Sequence, residues 1–196
     1  MGVRIRDDAP GDAPLAINRA LEDLVPQPAF DSLSGGSVLD LSQPIALYSI
    51  GLADIRNHNL GDILSHATFV SWRYLIDQGS GGGAYADVRH NNDETKLVSL
   101  STSKNAAALI DAANIAVDLV ADKEDEFEFR IIDAPAVKLS SAWISGTENF
   151  FVPYIDGLKS DLLLKVIPQH AFEEELTRRA ESSRPAQDEE LSQDTN

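Results

Sequence analysis

The hydrophobic period of the chain changes abruptly near residue 122, and this switch restricts the fold more than any other feature. From Asn105 to Ala121, Ala106, Leu109, Ile110, Ala113, Val117 and Val120 recur at helical spacing, while Asp111, Asn114 and Asp118 line the opposite face. From Glu126 to Asp133 the pattern becomes strict alternation, with Phe127, Phe129 and Ile131 on one side and Glu128 and Arg130 on the other. A helix that must bury one stripe, followed by a strand that must bury one face, requires a packed helix-on-sheet domain. Seven alanines between residues 106 and 121 make the helix thin, so it should lie close against the sheet.

Other segments fit the same plan. Residues 14–25 read as a first helix with Pro14 in its first turn, stopped by Pro26 and Pro28. The stretch 26–37 reads as a linker rich in serine and glycine. Val38–Leu41 and Ile45–Leu52 are expected as strands, and Asn59–Gln78 as a short helix running into a strand. The glycine run 79–83 and Asn91-Asn92-Asp93 are expected turns, which makes a three-stranded meander ending at Lys96–Ser101. Val137–Ser145 should return as a hairpin partner of 126–133, and Phe150–Tyr154 should add an edge strand. Ala171–Ser182 reads as a C-terminal helix with a narrow stripe at Phe172 and Leu176.

The expected fold is therefore α+β, a mainly antiparallel sheet covered on one face by the central alanine-rich helix, with N- and C-terminal helices. The expected organisation is a flexible N-terminus over 1–13, a helical arm and linker over 14–36, and an α+β core over 37–167. A C-terminal helix over 168–182 and a disordered acidic tail over 183–196 complete it.

Charge narrows the partners. The 196 residues carry a formal net charge of −16, and residues 15–172 hold −10 of it, so the acidity belongs to the body and not to the tail. Polyanionic nucleic acid and anionic lipid are unfavourable partners for such a surface. The absence of cysteine excludes disulfides, thiolate metal sites and a cysteine nucleophile. No apolar run approaches the length of a membrane span, and residues 1–14 lack a signal-peptide apolar region, so a cytoplasmic location is expected.

Chemistry-bearing patterns are few. Asp54, His58, Asp62 and His66 stand four residues apart, so on one continuous helix they would share a face offering imidazole and carboxylate to a metal ion. Asn57, Asn59 and Gly61 interrupt that segment and argue for a loop entering a helix. The glycine run lacks the Gly-Lys-Ser/Thr ending of a phosphate loop. His90 precedes a polar turn, and the acidic residues at 122–128 lack calcium-loop spacing. Trp143, Phe150, Phe151 and Tyr154 cluster within a short span, either as core or as a sticky binding surface.

Three readings follow from these residues. The first is a non-catalytic protein-interaction or assembly module, acting through a sheet edge, the 143–154 aromatics or the N-terminal helix, with a protein partner or a second copy as its target. The second is a ligand-binding module with a pocket between sheet and helix, lined by Trp72, Tyr74 and Trp143. The third is a metal-dependent hydrolase using His58, Asp62 and His66. The first reading needs no cofactor and no enzyme activity.

Overall fold

The computed structural model of the chain describes residues 3–4, 6, 8–24, 41–77, 83–91 and 94–183. The expected linker over 26–37, the strand residues 38–40, the turns at 78–82 and 92–93, and the tail from 184 onward lie outside them. In chain order the elements are β1 (Val3–Arg4), α1 (Ala13–Leu24), β2 (Ile45–Ser49), α2 (Leu52–Asn57), a 3-10 turn (Ile63–His66), β3 (Thr68–Asp77), β4 (Gly83–Asn91) and β5 (Glu94–Ser101). There follow α3 (Lys104–Val120), β6 (Phe127–Ala134), a second 3-10 turn (Pro135–Val137), β7 (Leu139–Ser145), β8 (Phe150–Asp156), β9 (Ile167–Pro168) and α4 (Gln169–Ser182). The chain is α+β with a mixed sheet.

The strands lie in the order β5-β4-β3-β2-β6-β7-β8-β9, with β1 also paired to β6. The meander β3-β4-β5 and the run β6-β7-β8 are antiparallel, as their turn signals require. β2 joins these two halves: it runs antiparallel to β3 but parallel to β6, with Leu47 opposite Ile131. β1 is also parallel to β6 and occupies Phe127 and Glu128, below the stretch that β2 pairs. β8 is not an edge at its start, because β9 pairs with Phe150 and Phe151. Pro153 falls beyond that pairing, where its missing N–H costs no ladder bond, and its carbonyl accepts from the Leu164 N–H at 2.8 Å.

Both faces of the sheet carry helices. α3 packs on one, burying Leu109, Ala112, Ala116 and Val120 against Leu47, Phe129, Ile131, Ala142, Ile144 and Val152. The stripe that faces the sheet is rotated from the expected one, because Ala112 and Ala116 are buried while Val117 is 46% exposed. Packing the small residues inward lets the helix axis come closer to the strands. Gly83 of β4 shows the same tight approach: a Cβ there would stand 2.8 Å from the Ala107 backbone nitrogen. Ser103 occupies the position before α3, but its side chain makes no capping bond.

On the opposite face α1 places Ala13, Ile17 and Leu21 over Trp72, Tyr74, Ile76, Ala86 and Val88. α4 places Phe172, Leu176 and Ala180 over Ile132, Leu139, Trp143 and Phe151, together with Ile55, Ile63 and Leu64 from the α2 region. The Phe151 and Phe172 rings stack 4.0 Å apart and 3° from parallel.

Two polar knots are sealed into this body. Arg73 grips Asp87 through both carboxylate oxygens at 2.7 and 2.9 Å, donates to the Tyr154 hydroxyl at 3.0 Å, and lies 3.9 Å above the Tyr85 ring. Burial raises the Asp133 carboxyl above its ordinary range, against the opposing pull of Arg73. Fully buried Arg179 ties α4 to the β8 end, donating to Asp156 at 2.9 Å, Ser160 at 3.1 Å, Glu175 at 2.6 Å and the Val137 carbonyl at 3.3 Å. Burial alone would raise the Asp156 carboxyl, but hydrogen bonds from Ser160 and Arg179 outweigh it and hold it below the usual carboxylate range.

Candidate metal centre

The segment 51–67 folds around three apolar anchors. Ile55 of α2 and Ile63 and Leu64 of the 3-10 turn are buried in the α4-side core. Fixing these three inward leaves the intervening polar residues at the surface. α2 begins after Gly51 and ends at Asn57, and His58 already has extended backbone angles of φ −116° and ψ 152°. The chain then reverses through Gly61, whose φ of +98° is a conformation that L side chains rarely adopt. Hydrogen bonds from the Asp62 N–H to the Asn59 carbonyl and from the Ser65 N–H to the Asp62 carbonyl, both 3.0 Å, close the turn.

This reversal brings Asp54, His58 and His66 together. One ligand atom from each lies within 4.8 Å of the other two. The two imidazoles stack with centroids 3.4 Å apart and planes inclined by 20°. His58 Nδ1 stands 2.8 Å from the Asp54 backbone carbonyl. A carbonyl only accepts, so this bond places the proton on Nδ1 and leaves Nε2 of the neutral ring with its lone pair free. A second hydrogen bond of this kind is what orients histidines that ligate metals.

No continuous helix runs over Asp54–His66: α2 spans only Leu52–Asn57, and the chain leaves helical geometry at His58, within the stretch that Asn57, Asn59 and Gly61 interrupt. Asp62, the remaining member of the expected set, does not join the group. It precedes the 3-10 turn, and its carbonyl accepts from Ser65 Oγ at 2.7 Å. The spacing signal thus finds three of the converging residues, but they converge through a turn and not along a helix face.

The aromatic residues of 143–154 lie elsewhere. Trp143, Phe151 and Tyr154 are buried, and Phe150 is half-buried beneath the Lys123 ammonium at 4.2 Å. Trp143 and Phe151 belong to the α4-side core and Tyr154 to the α3-side core, so they do not share one surface. Trp72 and Tyr74 are buried under α1, apart from Trp143. A recess of about 440 Å³ opens instead beside β1 and β6, lined by Arg4, Arg6, Glu126, Glu128 and Arg130. Each of its arginines already faces an acid: Arg4 pairs with Glu126, Arg6 with Asp8 and Arg130 with Glu128. That neutralisation leaves the recess without the excess positive charge that would draw an anion.

The α4 helix supplies groups that the sequence reading passed over. Fully buried Glu173 accepts from the Gly61 N–H with one carboxylate oxygen and from Gln169 Nε2 at 2.8 Å with the other. Arg56 of α2 donates to the Ala180 carbonyl at 2.8 Å. The available signal was positional: residues 172, 173, 176, 179 and 180 form an unbroken helical stripe once Glu173 and Arg179 are counted as inward.

Among the described residues, no helix is long and apolar enough to cross a membrane. Comparison with protein-family models, with curated proteins and with solved structures gives no match for this chain.

Proposed function

We propose that this chain is a metal-binding protein that holds one divalent transition-metal ion through Asp54, His58 and His66. The observation that carries the reading is the approach of three ligand atoms, from α2, the residue after it and the 3-10 turn, to within 4.8 Å of one another. In a tetrahedral zinc site, ligand atoms stand roughly 3.4 Å apart, so the side chains close onto an ion once the stacked imidazoles turn to point their in-plane lone pairs at it. Two imidazoles and one carboxylate suit zinc, manganese or iron, and the lack of thiolates disfavours cuprous copper. Three protein ligands leave coordination positions to water, and a metal-bound water is a nucleophile near neutral pH. The reaction class that fits is metal-assisted hydrolysis, the third sequence reading with Asp54 in place of Asp62.

The test uses protein stripped with a chelator and titrated with zinc or manganese by calorimetry, alongside thermal unfolding. The reading expects one ion per chain and a rise in Tm that His58→Ala and His66→Ala abolish. No heat of binding, or binding that survives both substitutions, overturns it.

A second reading, self-association, has one feature in its favour. β5 ends the strand order with no described strand on its outer side, and Val98 on it is 51% exposed. A mass from light scattering that stays at one chain at high protein concentration would remove it.

A further inference from the structure

We infer that Glu173 is the positioning residue of the metal centre, a buried carboxylate on α4 that sets the separation of His58 and His66 without touching the ion. The inference rests on the metal reading above. The chain between the two histidines is a turn whose geometry depends on Gly61 at φ +98°. The turn's own hydrogen bonds and the buried Ile63 and Leu64 fix its far side, but Gly61 itself is exposed. The tie at Gly61 comes from α4: the Glu173 carboxylate accepts the Gly61 N–H from a position with no solvent exposure, and Gln169 Nε2 stands 3.5 Å from the Gly61 carbonyl.

The carboxylate is itself fixed. Gln169, one turn earlier on α4, donates to its other oxygen, and Phe172 and Leu176 beside it are fully buried. α4 also holds the first half of the centre, because Arg56 at the end of α2 donates to the Ala180 carbonyl. One rigid helix therefore grips the segment carrying Asp54 and His58 at one end and the turn leading to His66 at the other. A buried carboxyl group, which here accepts two hydrogen bonds among the described residues, has a desolvation cost that an apolar side chain would avoid. Its presence in the core is explained if the Gly61 bond must be strong and fixed in direction, as an ion site needs.

The experiment compares cobalt(II) binding by the full chain and by Glu173→Leu, Glu173→Gln and Leu176→Ala, read as the dissociation constant and as the visible cobalt absorption. Glu173→Leu should weaken binding by about 10- to 100-fold, the usual effect of losing an outer support, and should change the spectrum. Glu173→Gln still offers Gly61 a carbonyl oxygen but loses the charge and sets its amide NH2 against Gln169 Nε2, so its cobalt constant should fall between those of the unaltered chain and Glu173→Leu. Leu176→Ala, a core truncation on the same helix, should lower Tm while leaving the cobalt constant and spectrum in place. If Glu173→Leu does not fold, Gly61→Ala serves instead: its Cβ meets nothing within 4 Å, but its backbone is strained, and it should weaken cobalt binding. Unchanged binding by Glu173→Leu, or by Gly61→Ala in its place, overturns the inference, as does equal weakening by Leu176→Ala. An unaltered chain that binds no cobalt overturns the metal reading itself, a separate result.

Discussion

Removing the Arg179 guanidinium should cost this fold more than any surface ion pair could. Arg179 is 0% exposed, and the side chain of its partner Asp156 is 2% exposed. Arg179→Met keeps most of the apolar stem but leaves Asp156 as a buried carboxylate without its cation, and the Val137 carbonyl without its donor. Breaking one side of a buried pair in this way costs about 3–5 kcal/mol. With a urea slope of about 2 kcal/mol per molar, the unfolding midpoint falls by roughly 1.5–2.5 M. The sign with pH follows from the partners. Arg179 is among the groups that hold the Asp156 and Glu175 carboxyls below their ordinary values. Their stabilisation is present above the unfolded carboxylate range of about 4 and is lost as pH falls through the lower folded values. The gap between the two proteins should therefore be full at pH 7 and narrow below about pH 4. A midpoint loss at pH 7 worth under about 1 kcal/mol, or a gap that stays constant into acid, would refute this account of Arg179.

Further outcomes can be checked by the same unfolding assay. Ala116→Leu forces a larger side chain between α3 and the sheet and should destabilise by about 1–3 kcal/mol, whereas Val117→Leu on the exposed side should be nearly neutral. Equal effects at the two positions would show that α3 is rotated from the arrangement described. Asp133→Asn tests the carboxyl that burial raises: the native acid is favoured in its neutral form, so its stabilisation is present below about pH 4 and is lost as pH rises through the higher folded value. The Asn variant should therefore gain on the unaltered protein between about pH 3.5 and pH 7, and a steady difference would contradict it. Phe172→Ala removes a fully buried ring stacked on Phe151 and should cost about 3–5 kcal/mol, and a loss under about 1 kcal/mol would place α4 outside the core.

Where local patterning decides the outcome, the sequence was legible. The period switch at residue 122, the β3-β4-β5 meander and the C-terminal helix all emerge from side-chain spacing and turn residues. The parallel pairing of β2 with β6 does not, because alternation records which face a strand buries and not which neighbour it takes. The orientation of α3 was missed for a related reason. Hydrophobicity favours turning Val117 inward, while close packing favours Ala112 and Ala116. At the metal centre, spacing picks out Asp54, His58, Asp62 and His66, and the interruptions at Asn57, Asn59 and Gly61 argue for a loop, but neither says which three of the four converge. Their approach depends on Gly61 and on Glu173 more than 100 residues later, a tertiary contact that no local window contains. Arg179 and Glu173 were passed over because charged residues read as solvent-facing, although both continue the stripe begun by Phe172 and Leu176.

The most direct test of the metal centre is an anomalous difference map from crystals of this protein soaked in zinc, collected above the zinc edge. The account predicts one strong peak between Asp54, His58 and His66, about 2.0–2.1 Å from the His58 Nε2 atom. A map with no peak there, or with its peaks only at other surface carboxylates, would contradict it.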